Sequence, residues 1–272
     1  MDKNLGFLYN CLYFQGLMDP ENGDQAKEDI RFFKEGTSCL YKKLLEFDEA
    51  PHGFTLKTIY PGLVTGIGWA HECGAEEELK LGFFFDYTTG LPIIPGASVK
   101  GVLRNAFPHY KNEKEMKEGG TKMQEEKANY ILCCLEDLQV KAEKDFVFAL
   151  ENEIFEGIAV GKTRLSVYKR DIFYDAYISG KENATFLGID YITDHANRAD
   201  SYEKSLLRDP NPVMFLKILP EVEFRFNFNL QEGMLGNLEK SAGIKEQLFK
   251  RILSDVGIGA KTNVGYGQLK EK

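Results

Sequence analysis

The sequence predicts an α+β fold, with strands and helices mixed in no regular βα alternation. Phe224, Phe226 and Phe228 alternate with Arg225, Asn227 and Asn229, the period of a half-buried strand. Leu248, Ile252 and Leu253 recur at helical spacing and share one helix face. The chain has 272 residues, 43% of them hydrophobic and 28% charged. That composition buries a normal core and excludes a disordered tail, a collagen-like fibre and a membrane-spanning protein.

Taken in order, residues 24–47 read as a helix in an N-terminal helical extension over 1–50. Ile30, Phe33, Leu40, Leu44 and Phe47 line one side, and Asp24 is the N-cap. Residues 54–60 alternate as a strand that Pro61-Gly62 stops, and 81–85 form a second short strand. A helix over 96–107 follows Pro95. Residues 109–160 form a helical insertion, with a charged loop over 109–121 and a helix over 122–140. Residues 164–177 are rich in β-formers, and 185–193 read as a strand. Residues 194–212 are polar, carry Pro210 and Pro212, and form a loop insertion. Residues 213–219 and 221–230 read as a hairpin, or as adjacent strands hinged at Pro220. A helix over 238–256, a glycine-rich loop and a strand near Gln268-Leu269 close the chain. No tandem repeat is present, and residues 1–272 read as one elaborated domain.

Lys and Arg number 34 against 42 Asp and Glu, a net charge of −8. A free protein with this balance does not bind nucleic acid broadly, so any contact must use a local basic surface. The five cysteines are odd in number and scattered, with no CxxC pair, which points to a reducing cytoplasm. Lys3 and the apolar residues from Leu5 to Leu12 make a poor signal peptide, and no run is long enough to cross a membrane.

Several patterns imitate chemistry. Gly157-Ile-Ala-Val-Gly161-Lys162-Thr163 has three residues between its glycines where a phosphate loop needs four. Gly257-Ile-Gly259 follows a helix rather than a strand, the wrong setting for a dinucleotide fingerprint. His71 and Cys73 have near them only Glu72 and Glu76 to Glu78, so no metal is expected. Cys133-Cys134 reads as core packing. No cofactor is expected.

Two segments carry more information. In Asp86-Tyr-Thr-Thr-Gly-Leu-Pro-Ile-Ile-Pro-Gly-Ala-Ser-Val-Lys-Gly-Val-Leu-Arg104, Gly96 turns the chain into a helix. Ser98 lies in its first turn, where free N–H groups collect, and Lys100 and Arg104 share a face. These suit a phosphate backbone; the plainer reading is a Pro-Gly helix start with a solvated basic stripe. In Gly257-Ile-Gly-Ala-Lys-Thr-Asn-Val-Gly-Tyr-Gly267, Gly257, Gly259, Gly265 and Gly267 let backbone approach a ligand. Lys261 supplies charge, Thr262 and Asn263 hydrogen bonds, and Tyr266 a stacking face; the plainer reading is a generic turn. Lys162, Arg164, Lys169 and Arg170 outweigh Asp171 between residues 157 and 172, and seven Lys/Arg outweigh four Asp/Glu from Glu239 onward. Local basic surface in an acidic chain fits an RNA groove.

Together the two segments resemble the RAMP superfamily of CRISPR-associated proteins. Residues 257–267 are similar to its C-terminal glycine-rich loop, and Gly90 to Arg104 to the TGxPxIPGSSxKGxxR signature of effector-complex subunits, with Ala97 in place of the first Ser. Asn4-Leu-Gly-Phe-Leu-Tyr9, Thr65-Gly-Ile-Gly68 and Asp190-Tyr-Ile-Thr-Asp-His195 resemble the sixth-subunit branch of type III-B (Cmr) complexes. The resemblance implies a ferredoxin-like, RRM-related core with helical and loop insertions. It also implies a non-catalytic subunit that holds the 3′ part of the guide and caps the backbone filament. The implied partners are guide (crRNA) and target RNA and other Cmr-type RAMP and small subunits, with no membrane. The rival expectation is a metal-independent endoribonuclease using His195 or His71 as base and Lys261 to stabilise the phosphorane. A third is a scaffold whose loop merely packs.

Overall fold

A computed structural model of the chain describes residues 4–18, 23–33, 50–66, 78–159, 163–179, 185–194, 211–233 and 241–271. The helical start runs through α1 (Leu5–Phe7), a π-helical turn (Leu8–Leu12) and α2 (Tyr13–Met18), followed by α3 (Gly23–Arg31). The Asn4 side chain caps α1 by accepting from the Phe7 N–H. Strand β1 (His52–Thr58) opens the sheet, and β2 (Ile93–Ile94) leads directly into α4 (Gly96–Asn105). Next come α5 (Glu113–Lys117), α6 (Lys122–Asp137) and α7 (Lys144–Glu151), which runs on into a π turn (Asn152–Glu156). Then come β3 (Ile158–Ala159), β4 (Thr163–Arg164), β5 (Ile172–Phe173) and β6 (Ala176–Ile178). The chain continues through β7 (Leu187–Asp194), β8 (Asn211–Ile218) and β9 (Glu223–Asn229), and finishes with α8 (Ser241–Val256) and β10 (Leu269–Glu271).

The main sheet is antiparallel in the order β10-β1-β9-β6-β2, with β5 also paired to β9. Cross-strand register sorts its faces. Phe54 lies opposite Phe226 and Leu56 opposite Phe224, and all four are buried. Thr55 and Tyr177 both lie opposite Arg225 on the other face and are half-buried. The aromatic face packs on α8, with the Phe228 and Phe249 rings 5.5 Å apart, and α4 packs against α8 and β5. Fully burying such side chains contributes about 1.5–3 kcal/mol each, which fixes the sheet's orientation on the helices.

The β7–β8 ladder is separate and joins the sheet through Leu63, which exchanges both backbone hydrogen bonds with Ile218 at 2.9 and 2.7 Å. Of the two arrangements expected over 213–219 and 221–230, the hairpin is therefore corrected, and consecutive strands with a turn at Pro220-Glu221 are found. The two strands belong to different sheets, because Leu219 bonds back to the Phe186 carbonyl and Glu221 takes a left-handed turn (φ 66°). Residues 81–85 make single bridges rather than a strand, with Phe85 opposite Pro92. The charged 109–121 stretch is not all loop, because Asn112 caps α5 through the Glu115 N–H. Residues 164–177 break into β4, a 3₁₀ turn, β5 and β6. Cys134 is buried as expected, but Cys133 is exposed. The first predicted helix is described only to residue 33, so Leu40, Leu44 and Phe47 lie outside the described residues, as does most of the 194–212 insertion. Among the described residues no helix is long and apolar enough to cross a membrane.

Candidate nucleic-acid interface

The start of α4 is shaped by the β5–β6 backbone packed against it. A Cβ on Gly96 would fall 2.3 Å from the Phe173 carbonyl oxygen, so the glycine admits that backbone rather than a ligand. The Gly96 N–H donates to Asp175 Oδ1 at 2.7 Å, and the Ser98 and Val99 N–H groups donate to the Pro95 carbonyl. The expected cluster of free N–H groups is therefore reduced, and a carboxylate already complements the helix dipole where phosphate was expected. Lys100 is half-buried, its ammonium 5.6 Å above the Phe173 ring. Arg104 pairs with Glu156.

Behind Arg104 lies a tight acid–imidazole contact. His109 Nδ1 is 2.7 Å from Glu151 Oε1, and the His109 N–H donates to Oε2 at 3.1 Å. Burial pushes the Glu151 carboxyl up to about 7, against the pull of the His109 N–H, Arg104 and Lys127. Burial first, then Lys127 and Arg104, lowers His109. Burial thus works against charge on both members of the pair.

The glycine-rich loop is an intramolecular clasp. The Ala260 N–H donates to the Val64 carbonyl and the Gly267 N–H to the Gly62 carbonyl, both at 2.8 Å. A Cβ on Gly259 would lie 2.4 Å from the Val64 oxygen, and one on Gly267 would lie 1.9 Å from the Ile258 oxygen. With Gly257, whose Cβ would lie 2.7 Å from the Gly267 oxygen, three of the glycines thus serve close packing of the chain on itself. Gly257 is buried, whereas the side of Gly265 is open. Tyr266 is 8% exposed, its hydroxyl donating to Asp190 Oδ2 at 2.7 Å and its ring edge-on to Phe215. It pins the loop to β7–β8, which corrects its expected role as a free stacking face. Burial alone would raise Asp190, but hydrogen bonds from Lys217, Tyr266 and the Tyr191 N–H hold it below the usual carboxylate range. The loop's exposed part is Gly259, Asn263 and Val264, with Lys261 and Thr262 half-buried. Lys261 has left-handed backbone (φ 61°), and its ammonium sits 5.6 Å from the Phe215 ring.

The two segments do not converge. The loop leads into β10 at one edge of the sheet, and α4 follows β2 at the other. The four inter-strand spacings between those edges span about 19 Å. The expected single cradle is therefore corrected to two surfaces, because the sheet order separates what one strand of RNA would have to reach together. Arg164 is exposed on β4, and Lys162 lies outside the described residues. Sequence reasoning missed Val167 and Tyr168, 71% and 93% exposed beside Lys169 in a projecting turn. Solvent-facing aromatic and apolar side chains flanked by Lys and Arg were the available signal. His71 and His195 lie outside the described residues. No group of three or more metal-ligating side chains occurs among the described residues.

The family model described as the RAMP superfamily matches residues 55–270. Among solved structures, a cryo-EM structure of the type III-B Cmr-beta bound to cognate target RNA contains a chain that aligns with this one. The identity is 22% and the TM-score 0.48, over 81% of this chain and 57% of that one. Cmr6 from Pyrococcus furiosus aligns at 22% identity and a TM-score of 0.44, over 81% of this chain and 97% of that one. A chain of a type III-A Csm–crRNA–target RNA ternary complex aligns at 14% identity and a TM-score of 0.33, over 75% and 73%. No curated protein matches the chain significantly.

Proposed function

The chain belongs to the RAMP superfamily, and from that membership we propose that it is a non-catalytic RNA-binding subunit of a type III-B (Cmr) CRISPR effector complex. It holds the 3′ part of the guide RNA and caps the backbone filament, beside other Cmr-type RAMP and small subunits, in the cytoplasm. The order β10-β1-β9-β6, with α4 after β1 and α8 after β9, supports reading the core as ferredoxin-like. Exposed Phe7, Met18 and Tyr87 supply apolar surface of the kind protein neighbours cover.

The observation that carries the RNA-binding reading is Lys261. It stands on an exposed turn, with no carboxylate at ion-pair distance among the described residues, in a chain with a net charge of −8. Lys100 on α4 and Arg164 on the separate β3–β4 ladder belong to other elements than that loop, so the guide backbone runs past the molecule and touches it twice. The groups offered to it are the Lys261, Thr262 and Asn263 turn, and the Lys100, Arg104 and Arg164 side. Gly96, Ser98, Gly257, Gly259, Gly265, Tyr266 and Gly267 shape these surfaces.

The test is guide retention by reconstituted complex carrying Lys100→Ala with Lys261→Ala. Affinity is expected to fall, and the slope of log K against log salt to shrink by about 2, one for each phosphate that no longer meets an ammonium. Unchanged affinity and slope would remove both residues from the interface. Incubating the protein with repeat RNA and EDTA tests the non-catalytic part: a discrete cut would restore the endoribonuclease reading.

A further inference from the structure

Lys245 of α8 is 1% exposed, and its Nζ lies 2.9 Å from Asp171 Oδ2, 2.9 Å from Glu153 Oε1 and 3.0 Å from the Gln231 carbonyl. Asp171 precedes β5, and Glu153 sits in the π turn after α7, so three distant chain segments meet at one ammonium. The side chains of Lys245, Asp171 and Glu153 are 2%, 2% and 5% exposed. Although Glu153 Oε1 is close to Nζ, neither Glu153 oxygen is aligned in a hydrogen bond. Gly233 backs the carboxylate so closely that a Cβ there would fall 2.2 Å from Oε1. Phe155, Phe173 and Phe249 follow the three residues at two, two and four positions and meet in one ring cluster. The three charged side chains are therefore buried, and the rings that follow them in sequence pack on one another.

We propose that Lys245 and Asp171 become joined by an intramolecular isopeptide bond, with Glu153 carrying the proton. A proton passed from Lys245 Nζ to Asp171 Oδ2 across their 2.9 Å contact yields the amine and the carboxylic acid from which condensation proceeds. Nζ then attacks Asp171 Cγ. Glu153 accepts the second Nζ proton as the C–N bond forms and returns it to the departing oxygen, which leaves as water. An ammonium and a carboxylate become one amide and one water, with no oxidant, reductant or outside reagent. Holding Nζ and the Asp171 carboxylate in hydrogen-bond contact replaces part of the high concentration such a condensation otherwise needs. The product ties the start of β5 to α8, and it bears on covalent structure alone, independently of RNA binding.

Intact mass of the purified full-length protein, reduced and denatured after extended incubation, decides the matter. The expected species is one water lighter than the sequence mass, and its peptide map joins the fragment with Asp171 to the fragment with Lys245. Asp171→Asn is expected to reach the same final mass by losing ammonia. Lys245→Met is expected to keep its full sequence mass, and Glu153→Gln to stay unjoined or join far more slowly. Wild-type protein at full sequence mass with no joined peptide would overturn the proposal, whatever the variants' folding. Joining at the wild-type rate in Glu153→Gln would overturn the assignment of the proton carrier.

Discussion

Glu151 and His109 show how burial rewrites the chemistry of a residue pair. The folded Glu151 carboxyl titrates at about 7, against an ordinary value of 4.5, because burial penalises its charge. Folding therefore takes up a proton between those values. The stability this contributes is fully present below the lower value and is lost as pH rises through the upper. Glu151→Gln mimics the protonated acid and is expected to flatten the urea-midpoint profile between about pH 5 and 8. It should stabilise the protein at the alkaline end by on the order of 1–3 kcal/mol. A profile as steep as wild type would show that Glu151 is charged in the fold. Asp190 has the opposite sign: its lowered value stabilises above the ordinary aspartate range, and that gain disappears as pH falls through the folded value. Tyr266→Phe removes one of its donors. The variant is expected to cost about 1 kcal/mol at neutral pH and to shift the acid limb of unfolding to higher pH, read by circular dichroism.

Among elements, the 257–267 loop and α6 are held by different devices. The loop is a backbone clasp on residues 62–64, so its glycines are unequal. At Gly267 a methyl group has no room and the φ is +75°, whereas at Gly265 (φ +94°) the nearest atom to an added Cβ is Pro61 Cδ at 3.6 Å. Gly267→Ala is expected to destabilise by more than about 2 kcal/mol and Gly265→Ala by about 1 kcal/mol, a ranking that thermal melts of the two variants test. Equal losses would mean that only backbone preference is at stake. Helix α6 begins with a capping box: Thr121 accepts from the Gln124 N–H, and the Gln124 side chain accepts from the Thr121 N–H. Thr121→Ala is expected to cost about 1 kcal/mol, seen as a lowered urea midpoint. The box was readable in the sequence as Thr and Gln three apart, whereas the clasp was not, because its partners lie about 200 residues away.

For the molecule as a whole, charge and sheet order act together. With a net charge of −8, the isolated protein is expected to pass through a heparin column at about physiological salt. Retention there would mean that local basic surface outweighs the acidic balance. The 257–267 loop leads into β10 and α4 follows β2, the strands at opposite edges of the main sheet, so a polyanion that engages both segments must reach across it.

Local pattern by itself determined the α+β class, the helices after Pro95 and before Gly257, the alternating β9 and the basic segments, since periodicity and capping are written within a few residues of where they act. Only the tertiary structure decided that β8 pairs with β7, that Asp175 occupies the start of α4, that Tyr266 faces inward and that Lys245 meets two carboxylates. Each of those facts depends on contacts between residues far apart in the chain, and their energies become available only when the core brings the segments together.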